Sequence, residues 1–210
     1  MQITVCGTKQ VAAGYVKITR LAEPAFFIRW EYLQNKSLKE ELLSSSVEGP
    51  VEFSEEDSED IINAGLAFAA ESAAVTYLER AEQCRSGLER KLKAKKHSSF
   101  AIKLALDYLE SKNYLDDSRF ARAWLRTHSI SKIQGRSRLK AELCARGISR
   151  DIVESSLNEY FLSANEDELC LKAFEKYSKR VSDPKKIQSY LLRAGFSFNI
   201  VKKILSKTMA

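Results

Sequence analysis

One short pattern occurs three times in the chain: an aliphatic residue, a leucine four positions on, a helix end four positions later, then a polar residue that opens another apolar helix. The copies are Leu88-Glu-Arg-Lys-Leu92 followed by Lys96 and Ser98, Leu139-Lys-Ala-Glu-Leu143 followed by Gly147 and Ser149, and Ile187-Gln-Ser-Tyr-Leu191 followed by Gly195 and Ser197, at offsets of 51 and 48 residues. Periods of this size belong to helical arrays in which no unit buries its apolar face alone. After each break the apolar pairs recur at the same offsets: Ala101/Ile102 with Leu106, Ile152/Val153 with Leu157, and Ile200/Val201 with Leu205.

Each unit is expected to hold three short helices, punctuated by Asp116-Asp117, Gly147, Asp183-Pro184 and Gly195. Gly147 and Gly195 stand where a helix ends in the left-handed conformation, which glycine adopts without a Cβ clash; Lys96 fills that place less favourably in the first unit. Ahead of the array, residues 3–5, 15–19 and 25–30 are rich in β-branched and aromatic residues and are broken by Gly7, Gly14 and Pro24, which predicts two or three short antiparallel strands. Residues 44–50 read as a turn-rich stretch, and Ser54 before Glu55-Glu-Asp57 caps a helix that starts near Glu55. The expected fold is therefore mainly α, with three tandem three-helix repeats forming an elongated curved array behind a small β-hairpin or β-sheet. The expected divisions are an acidic N-terminal segment over 1–62 and repeats over 63–111, 112–161 and 162–210.

Charge is distributed unevenly over this plan. Residues 1–79 hold 6 Lys+Arg against 13 Asp+Glu, residues 80–150 hold 18 against 7, and the whole chain is +6. A local excess of +11 attracts polyanions. It also describes a merely solvated basic face, and charge alone leaves both readings open.

The helix expected over 117–127 divides its labour. Phe120, Ala121, Trp124 and Leu125 gather on one side, and Arg119, Arg122 and Arg126 fall on the other. Lys132 follows in the linker, and the next helix adds Arg136, Arg138, Lys140 and Arg146. Arginine forks match phosphate or carboxylate, so these eight residues are the candidate surface for DNA or an acidic protein groove. A helix-turn-helix DNA module is the rival reading, although no pattern of Asn, Gln and Arg marks a recognition helix.

Enzymatic chemistry finds little support. Asp116 and Asp117 stand at a helix start, where aspartates cap. His97 and His128 are far apart and lack neighbours at ligand spacing, so each is expected at the surface or a helix end. No G-x-x-x-x-G-K-[ST] loop and no G-x-G-x-x-G turn occurs. Cys6, Cys84, Cys144 and Cys170 are dispersed, so a disulfide framework or zinc site is not expected; they read as reduced and at least half-buried. Tyr108, Tyr114 and Trp124 could stack on bases, but their spacing beside Leu109, Phe120 and Leu125 favours the core. No basic leader or long apolar run occurs at the N-terminus or elsewhere, and the expectation is a soluble cytoplasmic protein that is no enzyme, needs no metal or cofactor, and has no membrane partner.

The stretch Lys112-Asn-Tyr114-Leu-Asp-Asp117-Ser-Arg-Phe-Ala-Arg-Ala-Trp124, with Gly135-Arg-Ser-Arg-Leu139-Lys-Ala-Glu-Leu143-Cys-Ala-Arg-Gly147-Ile148, resembles the central signature of the RecX family of bacterial recombinase regulators. The resemblance spans roughly residues 64–206, including Leu192-Arg-Ala-Gly-Phe-Ser197. It departs from the family pattern around Cys84-Arg-Ser-Gly87-Leu88 and at Lys96, where a glycine is usual. The resemblance implies an array of three-helix repeats, acting as a monomer. It further implies a partner, the RecA recombinase filament with its single- or double-stranded DNA, and an inhibitory effect on ATP hydrolysis and strand exchange in recombination and DNA repair. The rival that the resemblance displaces is a DNA-binding helical module without sequence preference and without a recombinase partner.

Overall fold

The structure, a computed structural model, describes residues 2–11, 14–21 and 23–208, with backbone alone at 45–48, 130 and 131. The chain divides into two compact units, Met1–Ala81 with Leu88–Leu115, and Glu82–Gly87 with Asp116–Ala210.

In the first unit, strands β1 (Thr4–Gln10), β2 (Tyr15–Arg20), β3 (Phe26–Arg29) and β4 (Val51–Glu52) form an antiparallel sheet in the order β3-β2-β1-β4. Val16 and Ile18 point inward while Lys17 between them is exposed, the alternation expected of a sheet with one covered face. Sequence reasoning finds the first three strands and misses the two-residue β4. It also misreads residues 44–50. Helix α1 (Leu38–Glu48) runs through the serine-rich stretch to Gly49, whose φ of 102° ends it. Leu38 and Leu42, one turn apart and fully buried beside β1, outweigh the weak helix propensity of the serines.

Helix α2 (Glu55–Leu78) starts where expected, with Ser54 Oγ accepting from the Asp57 amide at 3.1 Å. It buries Ile61, Ala64, Ala67, Ala70 and Ala74 at spacings of three and four, and these small residues let β3 and a later helix come close. At Gly65 the approach is closest, since a Cβ there would lie 2.5 Å from the Phe26 ring. Contrary to the sequence expectation, α2 has the length and mean hydropathy, 1.3 over 18 residues, of a membrane-crossing helix. Its inner face is nevertheless part of the first unit's core, and it carries Glu71, buried and bonded to Arg29 (Nε–Oε2 2.7 Å, Nη2–Oε1 2.6 Å) and to Tyr32 Oη (2.7 Å). Helices α3 (Arg85–Ala94) and α4 (Ser99–Ser111) close a second core with Ala74, through Leu88, Leu92, Ile102, Leu106 and Leu109.

The second unit holds two three-helix sets: α5 (Asp117–Ser131), α6 (Arg136–Cys144) and α7 (Arg150–Ser163), then α8 (Glu166–Ser178), α9 (Pro184–Arg193) and α10 (Phe198–Thr208). Equivalent positions of the three copies are buried alike: Leu88, Leu139 and Ile187; Leu92, Leu143 and Leu191; Ile102, Val153 and Val201. The helix ends repeat too. The amides of His97, Ile148 and Phe196 reach back to the carbonyls of Leu92, Leu143 and Leu191 at 3.2, 3.4 and 3.3 Å, closing each helix around a left-handed residue. That residue is Gly147 (φ 84°) or Gly195 (φ 91°) in two copies and Lys96 (φ 65°) in the first. Ser98, Ser149 and Ser197 then cap the following helices.

Successive copies in this unit meet backbone to backbone. The Gly135 amide donates to Ala194 O at 2.9 Å and Ser137 to Gly195 O at 3.1 Å. A Cβ on Gly135 would stand 2.4 Å from Gly195 O, and one on Gly195 2.4 Å from Arg138 N. The same seam occurs one copy earlier, where the Cys84 thiol reaches Arg146 O at 3.5 Å and Gly147 abuts Ser86. At both seams the first carboxylate of the incoming leading helix caps the outgoing second helix: Asp117 accepts from the Arg85 amide (2.8 Å) and Glu166 from the Arg136 amide (2.9 Å).

Candidate partner-binding surface

Helix α5 is set by its cap. Asp116 accepts from the amides of Ser118 (2.7 Å) and Arg119 (3.1 Å), the capping role expected of it. Ala121 and Leu125 are buried and Phe120 and Trp124 half-buried against the core that α5 shares with α6 and α7. Arg119, Arg122 and Arg126 face away, so the division of the helix matches its sequence.

The eight basic candidates differ in how far the fold already occupies them. Arg119 bonds Glu82 (Nε–Oε1 2.6 Å), and Arg136 bonds Glu154 (2.8 Å) and Asn158 (2.6 Å). Lys140 pairs with the same Glu154, and these two cations hold that carboxyl below the usual carboxylate range. Arg138 bonds Glu142 at 3.0 Å, and Arg146 reaches Glu142 O at 2.6 Å while lying 4.5 Å above the Trp124 ring. Burial opposes ionisation of Glu142, but hydrogen bonds from Gln134 and Arg138 and the nearby His128 outweigh it and lower its pKa. Arg122 is only loosely held, 3.8 Å from Glu159. Arg126 and Lys132 are exposed, and among the described residues neither side chain has a hydrogen-bond or ion-pair partner. The exposed pairs cost little to break, since exposed ion pairs contribute about 0–1 kcal/mol.

Two clefts open on this unit. One of about 310 Å³ lies between α5 and α7, lined by Arg119, Arg122, Arg126, Glu159, Tyr160 and Ser163 among others. The other, about 340 Å³, is bounded by the link between α5 and α6 and by α8 and α9; Lys132, Arg138, Lys176, Tyr177, Tyr190 and Arg193 line it. Sequence reasoning places Lys132 and Arg138 on the candidate surface and misses the other four, because no local pattern joins Tyr177 to Tyr190 or either to Lys132. It also misses the carboxylates Glu82, Glu142 and Glu154, whose partners lie on other helices or loops or beyond the reach of pattern.

Four aromatic or histidine side chains depart from expectation. His128 is not at the surface: its ring stacks on Trp124 (4.2 Å, 21°), with Nε2 at 2.7 Å from Gln134 Oε1 and 3.5 Å from Glu142. Trp124 is half-buried rather than a core ring. Tyr114 is 61% exposed, and Tyr108 is half-buried against Tyr32 in the first unit. His97 is half-buried, and burial, then Lys95, lowers its pKa. The cysteines are free; Cys84 and Cys170 are buried, Cys6 is half-buried, and Cys144 is exposed, contrary to expectation. Burial, aided by Asp167 and Glu166, pushes the Cys170 thiol up to about 11. Among the described residues no three His, Cys, Asp or Glu side chains converge as metal ligands.

Residues 116–157 match the family description "RecX, second three-helix domain". The chain is 34% identical over 139 residues to a regulatory protein RecX of Treponema pallidum, an alignment that covers 66% of this chain and 85% of the relative. A regulatory protein RecX of Clostridium acetobutylicum is 29% identical over 160 residues, covering 71% and 73%. A crystal structure of a regulatory protein RecX superposes with a TM-score of 0.72 over 97% of this chain and 99% of that one; at 20% identity this likeness speaks for the fold alone. The RecX of Lactobacillus salivarius superposes with a TM-score of 0.61 at 25% identity, over 68% and 96%.

Proposed function

This chain belongs to the RecX family of regulatory proteins, and we propose that it binds the RecA recombinase and its DNA filament and inhibits ATP hydrolysis and strand exchange in recombination and DNA repair. The observation that carries this reading is the basic surface of the second unit. It exposes Arg126 and Lys132 unpartnered, with Arg122 loosely held, on a scaffold whose repeats are otherwise tied together by hydrogen bonds. Cations that their own fold leaves unneutralised are available to phosphates or to an acidic protein groove. Arg119, Arg136, Arg138, Lys140 and Arg146 complete the proposed surface, their present partners holding them in place before a partner arrives. The same proposal makes the protein a cytoplasmic monomer without catalytic activity, metal or cofactor, built from an N-terminal segment over 1–62 and repeats over 63–111, 112–161 and 162–210.

DNA-dependent ATP hydrolysis by RecA on single-stranded DNA tests the reading, with this protein titrated from far below to equal stoichiometry. Inhibition at ratios too low to coat the DNA is expected. Arg126→Glu with Lys132→Glu should raise the concentration for half-inhibition by about tenfold or more, because two desolvated charge-assisted contacts of roughly 1.5 kcal/mol each are reversed. Inhibition only near DNA saturation would instead favour a DNA-binding module that competes for the strand.

A further inference from the structure

We propose that the cleft bounded by the α5–α6 link, α8 and α9 is a binding site for one unpaired nucleotide of single-stranded DNA, with the base against the Tyr177–Tyr190 stack and the phosphate on Lys132, Lys176 and Arg193. The cleft, about 340 Å³, is within the size range of small-ligand sites. Four cations line it and no carboxylate does. Only Arg138 is neutralised, by Glu142 from outside the lining; among the described residues Lys132, Lys176 and Arg193 have no ion-pair partner. The neighbouring α5–α7 cleft differs, for Glu159 lies within it and pairs with Arg122.

The aromatic pair supplies the second half of a nucleotide site. Tyr177 and Tyr190 are stacked nearly parallel, ring centroids 5.2 Å apart and planes 12° from each other. Tyr177 packs on the core of the last three-helix set, whereas Tyr190 is 41% exposed and is held by the stack. A fixed ring with free area beside unpaired cations is the combination by which single strands are gripped without sequence preference, since every base has a face to stack. A base inside a duplex already has both faces covered, which is why the site selects a single strand. The inference rests on the DNA half of the proposed function and is independent of the recombinase.

The test uses the full chain without recombinase, with fluorescence anisotropy of a labelled oligothymidylate and of an abasic strand of the same length. The oligothymidylate should bind about tenfold more tightly than the abasic strand, as expected for stacking of one base. Tyr190→Ala should remove that preference, and Tyr190→Phe, which keeps the ring and reports on folding, should retain it. Lys176→Glu with Arg193→Glu should weaken both strands and reduce the salt slope by about 1.4, roughly 0.7 for each lost phosphate contact. Equal affinity of the wild type for both strands, or a preference untouched by Tyr190→Ala, overturns the proposal. Loss of ATPase inhibition with oligonucleotide binding intact would strike the recombinase reading and leave this site standing.

Discussion

Glu71 shows what a single side chain can demand of the fold around it. Its carboxylate is 4% exposed and takes two hydrogen bonds from Arg29 and one from Tyr32, while the Arg29 guanidinium lies 4.5 Å over the Tyr108 ring. Such a cluster is costly to break from one side, because the survivor is left charged and buried. Glu71→Ala should therefore lower stability by roughly 3 to 5 kcal/mol in urea unfolding. A loss below about 1 kcal/mol would mean that water reaches Arg29 and that the pair is effectively exposed. No pattern in the sequence announces this pair: the two residues are 42 positions apart, and Glu71 sits in an otherwise apolar run. His128 escapes sequence reasoning for the same reason, since the side chains that enclose it include Glu142, which reaches it only through the turn of chain between α5 and α6.

At the scale of elements the sequence is far more legible, because repetition multiplies a weak signal. One Leu-x-x-x-Leu pair says little; three, each followed by a helix stop and a serine cap, define helix ends that the structure reproduces to the residue at Gly147 and Gly195. Elements outside the period lack that reinforcement. α1 depends on the burial of Leu38 and Leu42 rather than on propensity, and β4 spans only Val51–Glu52. The first copy offers a direct test of the shared helix ending. Lys96 holds φ at 65°, a conformation that costs a side-chain-bearing residue about 1–2 kcal/mol. Part of that is returned by the freer unfolded chain of glycine, so Lys96→Gly should raise stability by about 0.5 to 1 kcal/mol. Gly195→Ala should do the opposite and cost about 2 kcal/mol or more, since φ is 91° and the new methyl would meet Arg138 N at 2.4 Å. Thermal or denaturant melts of the two variants decide the matter; a neutral Gly195→Ala would show that the seam yields.

The whole molecule is basic, at +6 with a pI near 9.1, but its excess is concentrated in residues 80–150. That asymmetry is readable by counting, whereas the pairing of most of those charges with carboxylates is not. The distinction sets the salt response. If about four phosphates are contacted by the unpaired and loosely paired cations, affinity for an oligothymidylate should fall about 50-fold between 50 and 200 mM salt, from a slope near 0.7 per contact on a single strand. Equilibrium titrations across that range check the number. A slope as steep as the full count of basic residues would require the intramolecular pairs to open on binding, and a flat response would remove DNA from the list of partners.

The seams between copies have a consequence for how such a protein can change over time. Gly135, Gly195 and the main chain beside Arg138 lock by shape and amide bonds, like a mortise cut in the frame rather than a fastening on the panel. The step from one three-helix set to the next is thereby written in peptide groups, which mutation of outward-facing residues leaves alone. Lineages can exchange one lysine, arginine or tyrosine after another on the panel, redrawing what it grips, while the spacing between grips stays inherited.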